Sequence, residues 1–273
     1  MLSGILKKNN MHIVLYKVKD GGIFVLPSGL NPVRHSQQDK LSYEMIAQNF
    51  ANCKLSIIDK LEAFPRFASK RSIARFLCKA EIYKHILDIN GIVVECGVLN
   101  GAGLFTWAQL ANIFEPTNYT RKIVGFDTFS GFPTVHEKDE NSDYNPEAGQ
   151  MTGDGLDAFH MSIEKYDCER HLQHIPNIEL VMGNFLTTAE EYLRNNQHLL
   201  LALLYLDFDL YEPTKKALEV FLPRMGKGSI ICFDELNCSN FPGETLALLE
   251  SLPINQYEVK RFPIDPWISY IRI

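Results

Sequence analysis

Carboxylate side chains follow two apolar runs in the second half of the chain. The runs and the acids after them are L-L-L-A-L-L-Y-L at 199–206 with Asp207 and Asp209, and S-I-I-C-F at 229–233 with Asp234 and Glu235. A continuous apolar run is typical of a strand that is buried on both faces of a parallel sheet. Because neighbouring parallel strands end at the same edge of a sheet, we expect Asp207, Asp234 and Glu235 to lie close together.

Carboxylates that share one small region repel each other and raise one another's pKa unless a cation compensates them. A divalent cation relieves this repulsion, and an all-oxygen ligand set with open positions suits magnesium. The sequence therefore predicts a metal site at Asp207, Asp234 and Glu235, with Mg²⁺ as the expected ion. The alternative is that these acids are separate, solvated side chains at strand ends.

A glycine-rich turn lies earlier in the chain, in I-V-V-E-C-G-V-L-N-G-A-G-L-F-T at residues 92–106. An apolar β-branched run, a glycine turn and an apolar-periodic segment predict a strand, a ligand-cradling turn and a helix. Gly97, Gly101 and Gly103 let the backbone approach a ligand closely, and the helix start offers free N–H groups to an anionic group. The same pattern also occurs in α/β folds where the turn holds no ligand.

An acid also ends the second predicted strand, within G-F-D-T-F-S-G-F-P. At the carboxyl end of such a strand, the Asp127 carboxylate can accept hydrogen bonds from ribose hydroxyls. A turn or helix-capping aspartate is the alternative. The position of Asp127, about one β-α unit after the glycine turn, favours the ribose role.

Composition and charge narrow the set of partners. The chain has 273 residues, a net charge of -6 and a pI of about 5.8, and it lacks a run of Lys or Arg, which argues against a nucleic-acid surface. No apolar run reaches membrane-spanning length, and the first residues lack the apolar core and cleavage site of a signal peptide. We therefore expect a cytoplasmic protein without membrane contact. Six cysteines without a C-x-x-C pair predict buried thiols.

The elements that must position these residues follow from the hydrophobic pattern. Two alternating runs about a K-D-G-G turn predict a β-hairpin at 12–26. We assign residues 1–60, with two further short helices, to an N-terminal appendage that could cap the main domain or mediate homo-oligomer formation, and residues 61–273 to the main domain. The predicted helices lie at 40–50, 56–64, 72–89, 104–114, 162–171, 189–193 and 213–221. The predicted strands of the main sheet begin at 92, 122, 178, 199 and 229. The strand at 229 follows a predicted turn at Gly226 and Gly228.

The last two strand patterns, at 257–262 and 268–273, are joined by P-I-D-P-W. Five residues cannot carry a parallel crossover, so this pair must be antiparallel. A dehydrogenase sheet is built of parallel units, whereas a parallel sheet closed by such a hairpin is typical of class I S-adenosylmethionine-dependent methyltransferases. Four motifs occur in order along the chain: E-C-G-V-L-N-G, G-F-D-T-F-S-G-F-P, L-D-F-D-L-Y-E-P-T and F-L-P-R-M-G-K-G-S-I-I-C-F-D-E. On these four motifs, residues 69–273 resemble the macrocin O-methyltransferase family of sugar O-methyltransferases.

The resemblance implies an α/β, Rossmann-like class I methyltransferase fold, with a mostly parallel seven-stranded sheet, a C-terminal antiparallel hairpin and the small N-terminal appendage. It implies S-adenosylmethionine as the cofactor, a magnesium ion on the strand-end acids, and a small-molecule hydroxyl acceptor, expected to be a sugar. The cofactor-binding residues that we assign on this basis are Glu95, Gly97, Val98, Asn100, Gly101, Asp127, Thr128, Gly183 and Asn184. Family members often have Asp-Asp where this chain has Asp234-Glu235, a departure of one methylene.

Methyl transfer from a sulfonium is an in-line displacement that needs a deprotonated and aligned acceptor oxygen. We assign Asp207 and Asp209 as the catalytic carboxylates, either of which could act as the base that takes the proton. His136 and His160 are the alternatives, and they come from or near a polar loop at 134–155 that we interpret as a lid.

Two other functions are open. A nucleotide-sugar oxidoreductase or epimerase is disfavoured because G-A-G-L-F-T has Thr106 where G-x-G-x-x-G needs its third glycine. A non-catalytic nucleotide-binding module is disfavoured because all the acids at the strand ends are retained.

Overall fold

The computed structural model describes residues 5–8, 11–17, 23–25, 36–140 and 146–273. The chain divides into two compact units, Met1–Ile73 and Ala74–Ile273. Within the described ranges, no helix combines the length and the apolar character needed to cross a membrane.

The first unit contains a small antiparallel sheet and two helices. Its elements are strands β1 (Ile5–Lys8), β2 (Met11–Lys17) and β3 (Ile23–Val25) and helices α1 (Gln37–Asn52) and α2 (Ile57–Glu62). The strand order is β1-β2-β3, with β2 antiparallel to both neighbours. The predicted hairpin is confirmed as the β2 and β3 pair, and β1 is an additional strand. The expected turn residues Asp20, Gly21 and Gly22 lie outside the described residues.

Serine caps determine where these two helices begin. The Ser36 hydroxyl accepts a hydrogen bond from the Asp39 N–H at 3.2 Å, and the Ser56 hydroxyl accepts one from the Asp59 N–H at 3.1 Å. Such caps pair N–H groups that the first turn of a helix leaves without an intrahelical partner. This is why α1 begins at residue 37 rather than at the predicted residue 40.

The second unit is built on a seven-stranded sheet. Helix α3 (Lys70–Lys84) begins in the first unit and continues into the second, where it is followed by β4 (Ile92–Cys96), α4 (Ala102–Phe114), β5 (Ile123–Asp127), α5 (Leu156–Cys168), β6 (Ile178–Met182), α6 (Phe185–Asn195), β7 (Leu201–Leu206), α7 (Tyr211–Phe221), β8 (Met225–Phe233), α8 (Gly243–Ser251), β9 (Lys260–Phe262) and β10 (Asp265–Arg272). The strand order is β6-β5-β4-β7-β8-β10-β9. The first five strands in this order are parallel, and β10 is antiparallel to both β8 and β9. The predicted parallel sheet with a C-terminal antiparallel hairpin is confirmed.

Apolar side chains pack on both faces of this sheet. On one face, Tyr83 of α3 and Trp107 of α4 are buried in a cluster with Val93 of β4. On the other face, Phe221 of α7 packs in a second cluster with Val94 of β4 and with residues of α6 and α8. Val93 and Val94 are adjacent in sequence but point to opposite faces, as the two-residue period of a strand requires.

Strand β8 starts earlier than predicted. Gly226 and Gly228 lie inside β8 rather than in a turn before it. The register between β7 and β8 shifts between Leu201 and Leu203, which is the behaviour of a bulge, and Gly228 has a φ of 96° there. The glycines are therefore signs of a bulge within the strand, because a bulge needs the same conformational freedom as a turn.

Several helices also differ from the prediction. Helix α3 spans Lys70–Lys84 rather than 72–89, and α5 spans Leu156–Cys168 rather than 162–171. Helix α6 begins at Phe185 rather than at residue 189, because the Asn184 side chain accepts the Leu186 N–H at 3.0 Å and caps the helix. Helix α8 is absent from the predicted elements. It is only nine residues long and starts with a glycine, so packing of buried Ala247 and Leu248 rather than local pattern stabilises it.

Backbone hydrogen bonds continue the sheet ladder past the strand ends. They run from Gly97 N to Phe126 O (2.9 Å), from Asp207 N to Cys96 O (2.9 Å) and from Asp234 N to Leu206 O (3.0 Å). Gly97, Asp207 and Asp234 therefore leave the sheet side by side at its carboxyl edge. Gly97 has a φ of 88°, and a Cβ atom there would lie 1.9 Å from the Asp207 carbonyl oxygen. Only glycine allows this close approach of the two strand ends.

We predict that Gly97→Ala lowers the free energy of unfolding by roughly 2–4 kcal/mol, because the new Cβ adds a backbone clash to an unfavourable φ. Urea unfolding measures this change. Gly226→Ala is the control, because no atom lies within 4 Å of a Cβ at that position, and its effect should stay within about 0.5 kcal/mol. Equal losses in the two variants would contradict the close approach at Gly97.

Candidate active site at the carboxyl edge of the sheet

Three carboxylates meet at the carboxyl edge of the sheet. One oxygen from each of Asp207, Asp234 and Glu235 lies within 4.8 Å of the other two. Asp234 and Glu235 are buried, whereas the Asp207 side chain is 30% exposed. The juxtaposition predicted from the sequence is present, and it follows from β7 and β8 being parallel neighbours whose ends are joined by the Asp234 to Leu206 hydrogen bond.

Arg75 of α3 reaches into this cluster. Its Nη2 donates a hydrogen bond to Asp234 Oδ1 and lies 4.0 Å from Asp207 Oδ2, while its Nη1 lies 4.0 Å from Asp265 Oδ2. The Tyr205 hydroxyl also donates to Asp234 Oδ1. Asp234 Oδ1 thus accepts two hydrogen bonds. The Arg75 guanidinium partly compensates the negative charges of Asp207, Asp234 and Asp265.

The charges in the cluster shift its pKa values in opposite directions. Burial alone would raise the pKa of Asp234, but the positive charges of Arg75 and Lys79 outweigh it and hold the pKa at about 2. Burial and repulsion from Asp234 raise the pKa of Asp207, and burial and repulsion from Asp209 raise that of Glu235. The cluster therefore favours additional positive charge.

Asp209 and Glu244 lie deeper than Asp207. Asp209 is 6% exposed and has a φ of 62°. Burial raises its pKa to about 7. Glu244, in the first turn of α8, is fully buried and accepts the Glu235 N–H at 3.0 Å. Of the two predicted catalytic acids, only Asp207 has an accessible carboxylate.

Arg75, Lys79 and Glu244 are functional candidates that the sequence pattern did not predict. Lys79 is 4% exposed, and its Nζ lies 3.3 Å from the centre of the Tyr205 ring, in cation-π contact. A signal for the two basic residues was available, because positions 75 and 79 are four apart and fall on the same side of α3 as buried Cys78. The sequence holds no comparable signal for Glu244, because the pattern of the short helix α8 is too weak to predict it.

Asp127 braces the glycine turn. Its Oδ2 accepts the N–H groups of Val98 at 2.7 Å and Leu99 at 2.8 Å, and its Oδ1 accepts the Phe129 N–H at 2.7 Å. Gly101, with a φ of 79°, then starts α4 without a side-chain cap. The turn predicted from the sequence is present, and the alternative role of Asp127 as a turn aspartate is observed; its role toward a ribose stays a prediction.

Glu95 lies beneath the turn. It is 1% exposed, and a Cβ at Gly103 of α4 would fall 2.0 Å from its Oε1. Burial raises the pKa of Glu95 to about 7, although Lys79 opposes this shift. Its Oε2 has no hydrogen-bond partner among the described residues. Glu95 therefore belongs to the buried interior behind the glycine turn.

The other predicted cofactor residues make local hydrogen bonds. The Thr128 hydroxyl donates to the Gly131 carbonyl at 2.6 Å, and Asn100 Oδ1 accepts the Asp154 N–H at 3.0 Å. Gly183 N donates to the Asp127 carbonyl at 3.0 Å, at the same sheet edge as the glycine turn. Asn184 caps α6, as described above. The contact of these residues with a cofactor stays a prediction.

The loop at 134–155 is anchored on both sides of residues 141–145, which lie outside the described residues. Asp139 is 2% exposed and accepts the Tyr211 N–H at the start of α7 at 2.7 Å. Gly149 N donates to the Phe132 carbonyl at 2.8 Å. His136 Nδ1 accepts the Lys138 N–H at 3.1 Å, so this alternative base caps its own turn. The lid function stays a prediction.

Residues 71–244, which include Arg75 and all the acids of the cluster, match the macrocin-O-methyltransferase (TylF) family. The chain belongs to this family. It is an O-methyltransferase with the class I, Rossmann-like fold, as the sequence motifs predicted. No curated protein sequence matches the chain.

Solved structures of other methyltransferases are similar to this TylF-family chain. "CalS11, Calicheamicin Methyltransferase" superposes with a TM-score of 0.83 at 31% identity, over 88% of this chain and 94% of that one. An apo structure of CalS11, a TDP-rhamnose 3'-O-methyltransferase of calicheamicin biosynthesis, gives a TM-score of 0.76 at 29% identity, over 88% and 96% of the two chains. The O-methyltransferase NovP, at 19% identity and a TM-score of 0.57 over 73% and 79%, shares the fold.

We predict that Arg75→Gln lowers the free energy of unfolding by about 3 kcal/mol in chelator, because it leaves the buried Asp234 carboxylate without its cation. In an Asp234→Asn background the same change should lower it by less than about 1 kcal/mol. Urea unfolding of the four proteins measures this coupling. Arg71→Gln, at an exposed position of the same helix, is the control. The same loss in both backgrounds would mean that Arg75 stabilises the protein without acting on Asp234.

Proposed function

We propose that this TylF-family enzyme transfers a methyl group from S-adenosylmethionine to a hydroxyl of a sugar, with a divalent cation, Mg²⁺, at Asp207, Asp234 and Glu235. The observation that carries the proposal is the meeting of three carboxylates beside the glycine turn, where the Gly97 backbone packs on Asp207. A cofactor turn whose backbone packs on the strand end that carries Asp207 can serve one reaction centre with these acids.

The glycine turn suits the cofactor. Helix α4 begins at Gly101 without a side-chain cap, so N–H groups of its first turn are free for an anionic group such as an amino-acid carboxylate. Asp127 uses its oxygens for three N–H groups, and a carboxylate has about four acceptor positions. One acceptor position is therefore left for a ribose hydroxyl.

The acids suit a hard divalent cation. All three offer carboxylate oxygen, and Glu235 Oε2 is buried without a hydrogen-bond partner among the described residues. An unpaired buried oxygen is unfavourable unless a proton or a cation satisfies it. When bound, such an ion acts as a Lewis acid that lowers the pKa of an acceptor hydroxyl.

Asp207 is the base that we assign to the acceptor proton. Its carboxylate is the exposed member of the cluster, so it alone among these acids can face a substrate. Asp209 is buried, which suits a supporting role. Arg75 keeps Asp234 ionised, so that Asp234 can bind a cation over the whole physiological pH range.

The sugar acceptor is supported by the family and by CalS11, whose apo structure is that of a TDP-rhamnose 3'-O-methyltransferase and which is 29% identical over 88% of this chain. Panels of nucleotide-linked and free sugars, assayed for methyl transfer, test this part of the proposal.

We predict that S-adenosylhomocysteine at a hundredfold excess over its Kd raises the Tm by roughly 5–10 °C, because binding to the folded state alone adds about 2.7 kcal/mol. A thermal-shift assay measures the change. NAD should leave the Tm unchanged, and Asp127→Asn should reduce the shift because it loosens the turn. A shift with NAD and none with S-adenosylhomocysteine would favour an oxidoreductase.

We also predict that Asp207→Asn weakens Mn²⁺ binding at least tenfold and lowers kcat, because it removes a charged ligand and the assigned base while preserving shape. Mn²⁺ titration followed by electron paramagnetic resonance measures the first effect. The Kd for S-adenosylhomocysteine should stay within about twofold of that of the parent protein. Asp88→Asn, at an exposed position, is the control. Full activity of the parent protein in excess chelator would contradict the metal site.

A further inference from the structure

Glu244 has contacts that the proposed reaction does not yet use. Its side chain is fully buried in the first turn of α8, far along the chain from the glycine turn. Its Oε2 accepts the Glu235 N–H at 3.0 Å, and its Oε1 has no hydrogen-bond partner among the described residues. Burying a carboxyl group without full pairing is unfavourable. Stability alone therefore does not explain why a glutamate occupies this position.

The hydrogen bond from the Glu235 N–H to Glu244 lies directly after the last hydrogen bond of the sheet ladder. Asp234 is still held by the ladder, because its N–H donates to the Leu206 carbonyl at 3.0 Å. Glu235 is one residue further, and its N–H meets Glu244 instead of a strand. Asn237 is held in the same way, because its N–H donates to the Thr245 hydroxyl at 2.8 Å. Two successive residues of α8 thus fix the backbone that carries Glu235.

The start of α8 is itself rigidly placed. A Cβ at Gly243 would lie 2.1 Å from Asp139 Oδ1 and 2.4 Å from Tyr211 N, so the helix start packs tightly on the start of α7. Asp139 accepts the Tyr211 N–H there at 2.7 Å. Glu244 therefore projects toward Glu235 from a fixed point.

We propose that Glu244 is a positioning residue: its hydrogen bond to the Glu235 N–H orients Glu235 so that the Glu235 carboxylate faces Asp207 and Asp234, and thereby sets the affinity of the site for a divalent cation. This inference rests on the cation site proposed above. It requires the length and the acceptor oxygen of Glu244 rather than its negative charge.

Two variants separate length from charge. Glu244→Gln keeps the length and an acceptor oxygen but removes the charge, whereas Glu244→Asp keeps the charge but shortens the side chain by one methylene. Glu219→Gln and Glu219→Asp, at an exposed position of α7, are the matched controls. The probe is Mn²⁺ alone, titrated into each full-length variant and followed by electron paramagnetic resonance.

Positioning predicts that Glu244→Gln binds Mn²⁺ within twofold of the parent protein, while Glu244→Asp binds it about tenfold more weakly. The Mg²⁺ concentration that half-saturates activity should rise in the same proportion, with an unchanged KM for S-adenosylmethionine. Unchanged affinity in both variants would overturn the proposal. An equal loss in both, or a larger loss in Glu244→Gln, would make Glu244 a charge-bearing ligand instead.

Hydrogen exchange of the residue 235 amide in chelator gives a second readout, independent of any metal. Exchange at this amide should accelerate at least tenfold in Glu244→Asp and stay near the parent rate in Glu244→Gln. If the parent protein binds no Mn²⁺, the proposed cation site fails, and the exchange rates still decide whether Glu244 holds Glu235. Equal exchange rates in all variants would overturn the positioning role.

Discussion

Charge compensation at one edge of the sheet is the constraint on which the rest of the site depends. Parallel strands deliver Asp207, Asp234 and Glu235 to the same small volume, where they repel each other. The structure answers this with Arg75, whose guanidinium pairs with Asp234, and with the buried Lys79 nearby. Two cations do not balance all the acids that gather there, so a further positive charge, from protons or from a cation, stabilises this edge.

Helix α3 therefore contributes to the charge balance of the acidic cluster, although it precedes the first strand of the seven-stranded sheet. One side of the helix packs Tyr83 against the apolar core, and the same helix brings Arg75 to the acids. Stability and electrostatics are thus coupled in one element. A helix that only covered the sheet would tolerate a neutral residue at position 75, whereas here the buried carboxylate of Asp234 depends on it.

The sequence was sufficient to predict what topology alone decides. Asp207, Asp234 and Glu235 follow strands whose parallel order the pattern indicates, so their meeting needed no knowledge of side-chain packing. Arg75 and Glu244 were not predicted. The spacing of residues 75 and 79 places both on one side of α3, but which acids they meet depends on how the helix docks on the sheet edge, and the same holds for Glu244 of α8. For Asp127 the sequence left a turn role and a ribose role open, because the donors of its three hydrogen bonds are backbone N–H groups, which carry no signature in the amino-acid letters. The bulge at Gly228 shows that a glycine alone does not distinguish a turn from an irregular strand.

The brace between Asp127 and the glycine turn has a thermodynamic consequence. Two hydrogen bonds of 2.7 and 2.8 Å hold the turn in shape within the protein itself, and a third, from the Phe129 N–H, holds the Asp127 carboxylate. When a ligand binds to a turn that is already ordered, the protein backbone loses little conformational entropy. If the turn were a flexible loop instead, ordering it would offset part of the binding free energy. Affinity at this turn should then reflect the contacts themselves, and association should proceed without a slow rearrangement of the backbone.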